Sequence, residues 1–275
     1  MYSSQLEEYK AKYSNTGFLM SPYDGRDYKL VDNLPLRAMQ IPDNYESPIF
    51  PYVYDQGTSS MCCACSYNAI RYLQESEAHQ SGINVPFSPA FTYGNRLPGE
   101  IFEGMMARSC LKKGREGSIP FSILPGFCTV QQAVALVKAR EMEYLTLARP
   151  FRINSFYNCA SRREIQIGIM QCKGVLIGIP LFDSFYNAKA DGVIYYNPLV
   201  DRTNYGGHAV VLTGWKTLNG KLYWRLLNSW GTNWGDHGYC WLPEEYPWVE
   251  QAYCFTDDVI EVNFNDYRNL YRAYM

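Results

Sequence analysis

Five short apolar runs crowd the second half of this chain: Lys173 to Ile179, Gly192 to Tyr196, His208 to Gly214, Leu222 to Leu227 and Gly238 to Leu242. Each is rich in β-branched and aromatic residues and bounded by Gly, Asn or Pro, the pattern of strands that end in turns. The first half is patterned differently. From Ser66 to about Ser76 the positions Tyr67, Ile70, Leu73 and the stem of Arg71 follow a helical stripe, with Cys62-Cys63-Ala64-Cys65 at its start. Ser88-Pro89 reads as the N-cap and first residue of a second helix. A third covers about Gly104 to Lys113 and closes at Gly114, and a fourth runs from Thr129 to Ala139. Helices followed by strands, without βαβ alternation, predict an α+β fold whose two lobes face each other across a cleft.

The boundaries expected are those of one domain: an irregular N-terminal arm over 1–50, a helical part over about 51–150, a β part over about 151–260 and a tail over 261–275. The arm carries turn signals at Ser21-Pro22, Asp24-Gly25 and Ile41-Pro42-Asp43-Asn44 and little periodicity, so it reads as a wrapping segment. Phe264 to Met275 reads as a docking helix or tail. At 275 residues and 47% hydrophobic the chain is long enough to bury a substantial core.

A net charge of −2 with scattered Lys and Arg argues against a nucleic-acid partner. The longest apolar runs fall far short of the roughly 20 residues that cross a bilayer, so no membrane insertion is expected. The first ten residues have neither a basic nor an apolar region of a secretory signal, which favours a cytoplasmic or virion-associated protein over a secreted one. Nine cysteines leave at least one thiol unpaired, and their irregular spacing fits a reducing compartment better than a disulfide scaffold. The 24 tyrosines have two readings, half-buried sheet filler or a surface for a protein assembly partner.

Two residues stand out chemically. Cys62 lies where a helix begins, and a helix N-terminus lowers a thiol's pKa toward the nucleophilic thiolate. His208 follows Gly206-Gly207 and opens the apolar strand Ala209 to Leu212, a costly place for an imidazole without partners. A thiol polarised by an imidazole suits acyl transfer, and a side-chain amide can hold that imidazole in one tautomer.

These residues sit in stretches that resemble a known family. Asp55-Gln-Gly-Thr-Ser-Ser-Met-Cys-Cys-Ala-Cys65 is similar to the D-Q-G-x-C-G-S-C-W-A-F segment of papain-like cysteine peptidases, including cathepsins, and selects Cys62 as the nucleophile. Gly207-His-Ala-Val-Val-Leu-Thr-Gly-Trp215 resembles their histidine strand, and Leu227-Asn-Ser-Trp-Gly-Thr-Asn-Trp-Gly-Asp-His-Gly-Tyr239 resembles K-N-S-W-G-x-x-W-G-x-x-G-Y almost residue for residue. The resemblance is to a divergent member of bacterial or viral type without a propeptide. It implies a helical N-terminal lobe, an antiparallel barrel-like C-terminal lobe and a cleft holding a Cys62-His208-Asn228 triad. Gln56 would share the oxyanion with the Cys62 N–H, Trp230 would shield the His208–Asn228 bond beside the substrate, and Gly104 would stand in for the substrate-binding glycine. The implied activity is peptide-bond hydrolysis through an acyl-enzyme, with a protein or peptide substrate and neither metal nor cofactor.

The chain also departs from the pattern. Ser59 stands where a disulfide cysteine is usual, Cys63 replaces the tryptophan after the nucleophile, and Ser60 and Met61 replace Gly and Ser. The helix start should therefore pack differently. Cys62-x-x-Cys65 at a helix start allows a thioredoxin-type or zinc reading, but no βαβ surround and no second ligand pair accompany it. A scaffold retained for binding or assembly, with weak or absent hydrolysis, is the alternative, for example as a virion or cell-surface component. Related Cys-His chemistry on peptidoglycan or amine acceptors lacks the Asn-Ser-Trp-Gly stretch.

Overall fold

A computed structural model describes residues 7, 10–13, 16–25, 27–30, 39–78, 85–188 and 191–257, with backbone alone at 249–250. His79 and the 264–275 stretch lie outside these residues. The helix α1, Cys62–Ala78, starts four residues earlier than the stripe alone suggests, because the Cys cluster is itself helical. From Cys62 to Gln74 every residue of α1 is buried, so this is a central helix and not a half-exposed one. Helices α2 (Pro89–Gly94) and α3 (Ala107–Gly114) pack against it, α4 (Val130–Ala139) packs against α2, and α5 (Glu141–Ala148) against α4. Local chemistry sets their starts. Ser88 Oγ accepts from Phe91 N in front of Pro89, and Thr129 with Gln132 forms a capping box.

The second lobe is an antiparallel sheet in the order β4 (Ile153–Asn158), β9 (Val249–Asp257), β5 (Val175–Pro180), β6 (Gly207–Leu218), β7 (Lys221–Leu227) and β8 (Tyr239–Pro243). Strand β2 (Tyr45–Glu46), from the arm, pairs with β6 at Trp215 and Gly214, beyond the stretch of β6 that pairs with β5. Helix α6 (Arg162–Cys172) covers the sheet through Ile165, Ile167 and Ile169. Burying such aliphatic side chains contributes about 1.5–3 kcal/mol each.

Several elements differ from the sequence reading. Residues 192–196 do not form a strand: Val193 makes one isolated bridge to Trp241, and Tyr195 is exposed. Strands β4 and β9 and helices α5 and α6 carried no recognised signal. Among the described residues all nine cysteines are unpaired. No described helix is long and apolar enough to cross a membrane.

The two lobes are joined by main-chain pairing close to the cleft. Gln56 N donates to Ser229 O at 2.9 Å, Gly231 N donates to Tyr54 O at 2.9 Å, and Asp55 bridges Trp230 between them. This crossing fixes the segment leading into α1 against the segment leaving β7.

Candidate active site

Each candidate side chain is placed by an element end. Cys62 opens α1, where Cys65 N donates to Met61 O. His208 is the second residue of β6, paired across to Ile179 of β5. Asn228 follows the last residue of β7, and its N–H donates to Gly238 O.

His208 Nε2 lies 2.7 Å from Asn228 Oδ1. The amide orientation is not arbitrary, because Oδ1 also accepts the Ser229 N–H at 2.8 Å, and a main-chain N–H can only donate. Nε2 must therefore carry its proton, which leaves Nδ1 as the basic nitrogen. Trp230 is buried beside this bond, its ring centroid 5.0 Å from that of His208. Phe185 meets the imidazole edge-on at 5.9 Å.

Gln56 is buried and held at both ends of its amide. Its Oε1 accepts from Ser229 Oγ at 2.6 Å, and its Nε2 donates to Ser59 O at 2.8 Å. The Ser59 carbonyl can only accept, so it fixes which way the amide faces, and Ser229, which sequence reasoning quoted within Asn-Ser-Trp-Gly and gave no role, satisfies the oxygen end. Nε2 keeps a second hydrogen for another acceptor.

The arm crosses this site. Strand β1 (Phe18–Leu19) pairs in parallel with β3 (Met105–Met106), and Met105 N donates to Gly17 O at 2.7 Å. On the other wall Thr16 and Phe18 lie on Gly206 and Gly207, where any added Cβ would collide with them. Tyr13 stacks on Trp230 with ring centroids 4.5 Å apart, and its hydroxyl donates to Trp230 O at 2.9 Å. Lys12 Nζ donates to Asp55 Oδ2 at 2.9 Å. Beside Tyr13 and Trp230 lies an open groove of about 780 Å³, also lined by Tyr52, Asp55 and Phe127.

Electrostatics follow from this cover. Burial pushes the Cys62 thiol up to about 12, against hydrogen bonds from the main chain of Ala209, Gly17 and Cys63 that favour the thiolate. Burial likewise lowers His208 to about 4, against the bond to Asn228. Desolvation outweighs the helix end, so both groups are neutral in this closed arrangement. Among the described residues no hydrogen bond joins Cys62 to His208. Gly104 lies on the opposite wall with φ of 86°, next to the Met105 edge that meets the arm. Cys63 is buried with its free thiol hydrogen-bonded to that of Cys110 of α3, so the position after Cys62 is filled by two small thiols. No described cluster of three or more His, Cys, Asp or Glu side chains is placed to hold a metal.

Comparison with known proteins bears on the family and the fold. The profile described as papain family cysteine protease matches residues 115–254, a span that contains His208 and Asn228 and begins after Gln56 and Cys62. A cathepsin L-like proteinase of Fasciola hepatica is 25% identical over 253 residues, covering 85% of this chain and 69% of the fluke protein. Cathepsin B-like cysteine proteinase 3 of Caenorhabditis elegans is 40% identical over 78 residues, 28% of this chain and 20% of the nematode protein. The chain thus spans about a fifth of the nematode relative it matches. Among solved structures, xylellain, a cysteine protease from Xylella fastidiosa, superposes with a TM-score of 0.72 at 21% identity, covering 89% of this chain and 97% of its own. Procathepsin B S9 of Trypanosoma congolense gives 0.70 at 16% identity, covering 90% and 87%. The two-lobed α+β architecture is therefore that of papain-like proteins, and with the family profile covering more than half of its residues the chain belongs to the papain family of cysteine proteases.

Proposed function

We propose that this chain is a peptidase whose nucleophile is Cys62, with His208 Nδ1 as its base, Asn228 as the residue that orients the imidazole, and Gln56 Nε2 with the Cys62 N–H as oxyanion donors. The observation that carries the reading is the His208–Asn228 bond, whose amide is locked by the Ser229 N–H so that Nδ1 is the nitrogen left to act as base. Once the arm leaves, water and the imidazole reach Cys62, desolvation relaxes, and the helix end favours a thiolate–imidazolium pair. The thiolate adds to the scissile carbonyl and its oxygen takes the negative charge between the two donors. The imidazolium gives its proton to the leaving amine, and water then hydrolyses the thioester. In the closed arrangement the arm holds the peptidase latent.

A second reading has its own support. Cys62 and His208 are both buried and neutral, as in a scaffold kept for binding. Intact-mass spectrometry after treatment with a peptidyl epoxide separates the two. A single adduct in wild type, absent from Cys62→Ala and much reduced in His208→Ala, is expected of the peptidase. No adduct after the arm has been opened by substitution, or an adduct on Cys63 or Cys65, would favour the scaffold.

A further inference from the structure

The backbone-pairing edge of the cleft is shaped by a buried arginine and a tyrosine that the triad does not use. Gly104 has φ of 86°, a conformation that costs an L side chain dearly, and both its main-chain groups turn away from the cleft. Its N–H donates to Tyr93 Oη at 2.7 Å, and its carbonyl accepts from Arg96 Nη2. With Gly104 turned inward, the next N–H, that of Met105, points into the cleft and donates to Gly17 O.

The supports are themselves fixed. Tyr93 Oη donates to Glu103 Oε2 at 3.0 Å, and Glu103 Oε1 accepts from Val130 N at the start of α4 at 3.0 Å. The Arg96 guanidinium lies over the Tyr93 ring, 4.7 Å from its centroid, and 5.5 Å from that of Phe102. Arg96 is only 9% exposed, and its Nε and Nη1 have no hydrogen-bond partner among the described residues. A buried guanidinium that leaves donors unused is costly for packing alone. Its formed bond goes to the one carbonyl whose direction decides where Met105 N–H points.

We infer that Arg96 and Tyr93 are positioning residues for peptide binding: by holding both main-chain groups of Gly104 they aim the Met105 N–H at the backbone of whatever lies in the cleft. The occupant in this structure is the arm; in turnover it is a substrate peptide, read at its main chain as an added strand. This rests on the proposed peptidase reading, with Cys62 as the nucleophile beside that edge.

The test compares two reagents on the same thiol in the full chain. Iodoacetamide needs only an accessible Cys62, whereas a peptidyl epoxide must also pair with the edge. The ratio of their rate constants therefore cancels both arm opening and thiol reactivity. In Arg96→Met the epoxide-to-iodoacetamide ratio is expected to fall about tenfold, the size of one well-made hydrogen bond. Arg96→Lys should restore part of it, and Tyr93→Phe should lower it as well. Iodoacetamide labelling itself should be unchanged or faster, because the arm is held less firmly. A parallel fall of both rates would make Arg96 a merely structural residue, and an unchanged ratio would remove it from peptide binding.

If neither reagent labels Cys62 even after the arm has been opened by substitution, the peptidase reading fails while the positioning claim is still decided by hydrogen exchange. Arg96→Met should then speed exchange at the Met105 amide about tenfold, with that of Val210 and Val211 in β6 unchanged. Equal exchange at Met105 in both proteins would overturn the claim.

Discussion

Tyr13 lies flat against Trp230, ring centroids 4.5 Å apart and planes 12° from parallel, so a residue of the arm covers the indole that covers His208. The Tyr13 hydroxyl shares its one proton between Trp230 O and Asp55 Oδ1. An aromatic pair contributes about 0.5–1.5 kcal/mol and each net hydrogen bond about as much. Tyr13→Ala should therefore weaken arm closure by about 1–3 kcal/mol, and labelling of Cys62 by iodoacetamide should rise about 5- to 150-fold. Time-resolved intact-mass spectrometry measures this directly; a rate equal to wild type would mean that the arm is held elsewhere.

Gly17 offers a more local test. A Cβ built on Gly17 would fall 2.1 Å from Ser60 O, and backbone is on both sides of that contact. Gly17→Ala cannot seat in the present position, because the added methyl would meet the main chain of Ser60. The expected result is faster labelling of Cys62 and faster proteolysis of the arm, with a thermal midpoint within a few degrees of wild type. Loss of the folded state as a whole would instead place Gly17 among the residues the fold requires.

How much of this was legible in the sequence depends on the range of the interaction. Asn228 and His208 were legible because each lies inside a run of residues whose spacing is local, a strand start and a turn after a strand. Helix α1 was legible from its stripe, and its start from the cysteine cluster placed at the head of that stripe, Cys62 being its first residue. Helix α6 was hidden because Arg162-Arg163-Glu164 and Gln166 obscure the isoleucines that face the sheet. Tyr13, Gly17, Arg96 and Ser229 could not be found by pattern. Their partners are Trp230, Ser60, Gly104 and Gln56, and only folding brings each pair together, apart from Arg96 and Gly104, where a positive φ decides the contact. Asp55, next to Gln56, was quoted for its motif while its use as the anchor of Lys12 stayed out of view.

Asn228→Ala removes the acceptor of the His208 Nε2–H inside a buried site. The unpaired imidazole N–H should cost about 1–3 kcal/mol of stability. Loss of the fixed tautomer should lower kcat/KM on a peptide substrate by about a hundredfold in arm-opened protein, a range typical of acid–base contributions. Urea unfolding and steady-state kinetics on the same preparation check both. A fall in stability with unchanged kcat/KM would show that Asn228 holds the fold but does not orient the base.

Acid should open the closed form, and His208 supplies the sign. In the closed structure burial lowers its pKa from 6.5 to about 4, the bond to Asn228 offsetting only part of that shift. In Cys62→Ala protein, used throughout this test so that no thiol supplies the imidazole's proton, the unfolded or arm-opened chain takes up below pH 6.5 a proton that the closed chain refuses until about pH 4. Closure is therefore fully stable above the solvated pKa and weakens as pH falls through that window. A shift of this size corresponds to at most about 3–4 kcal/mol, at about 1.36 kcal/mol per unit. Arm proteolysis by an added protease, scored between pH 7 and pH 4 and corrected for that protease's own pH profile, should accelerate on acidification. In His208→Gln, which cannot titrate, the acceleration should be lost. An equal acceleration in both proteins would assign the acid response to groups other than His208, and none in either would mean that His208 stays out of water when the arm leaves.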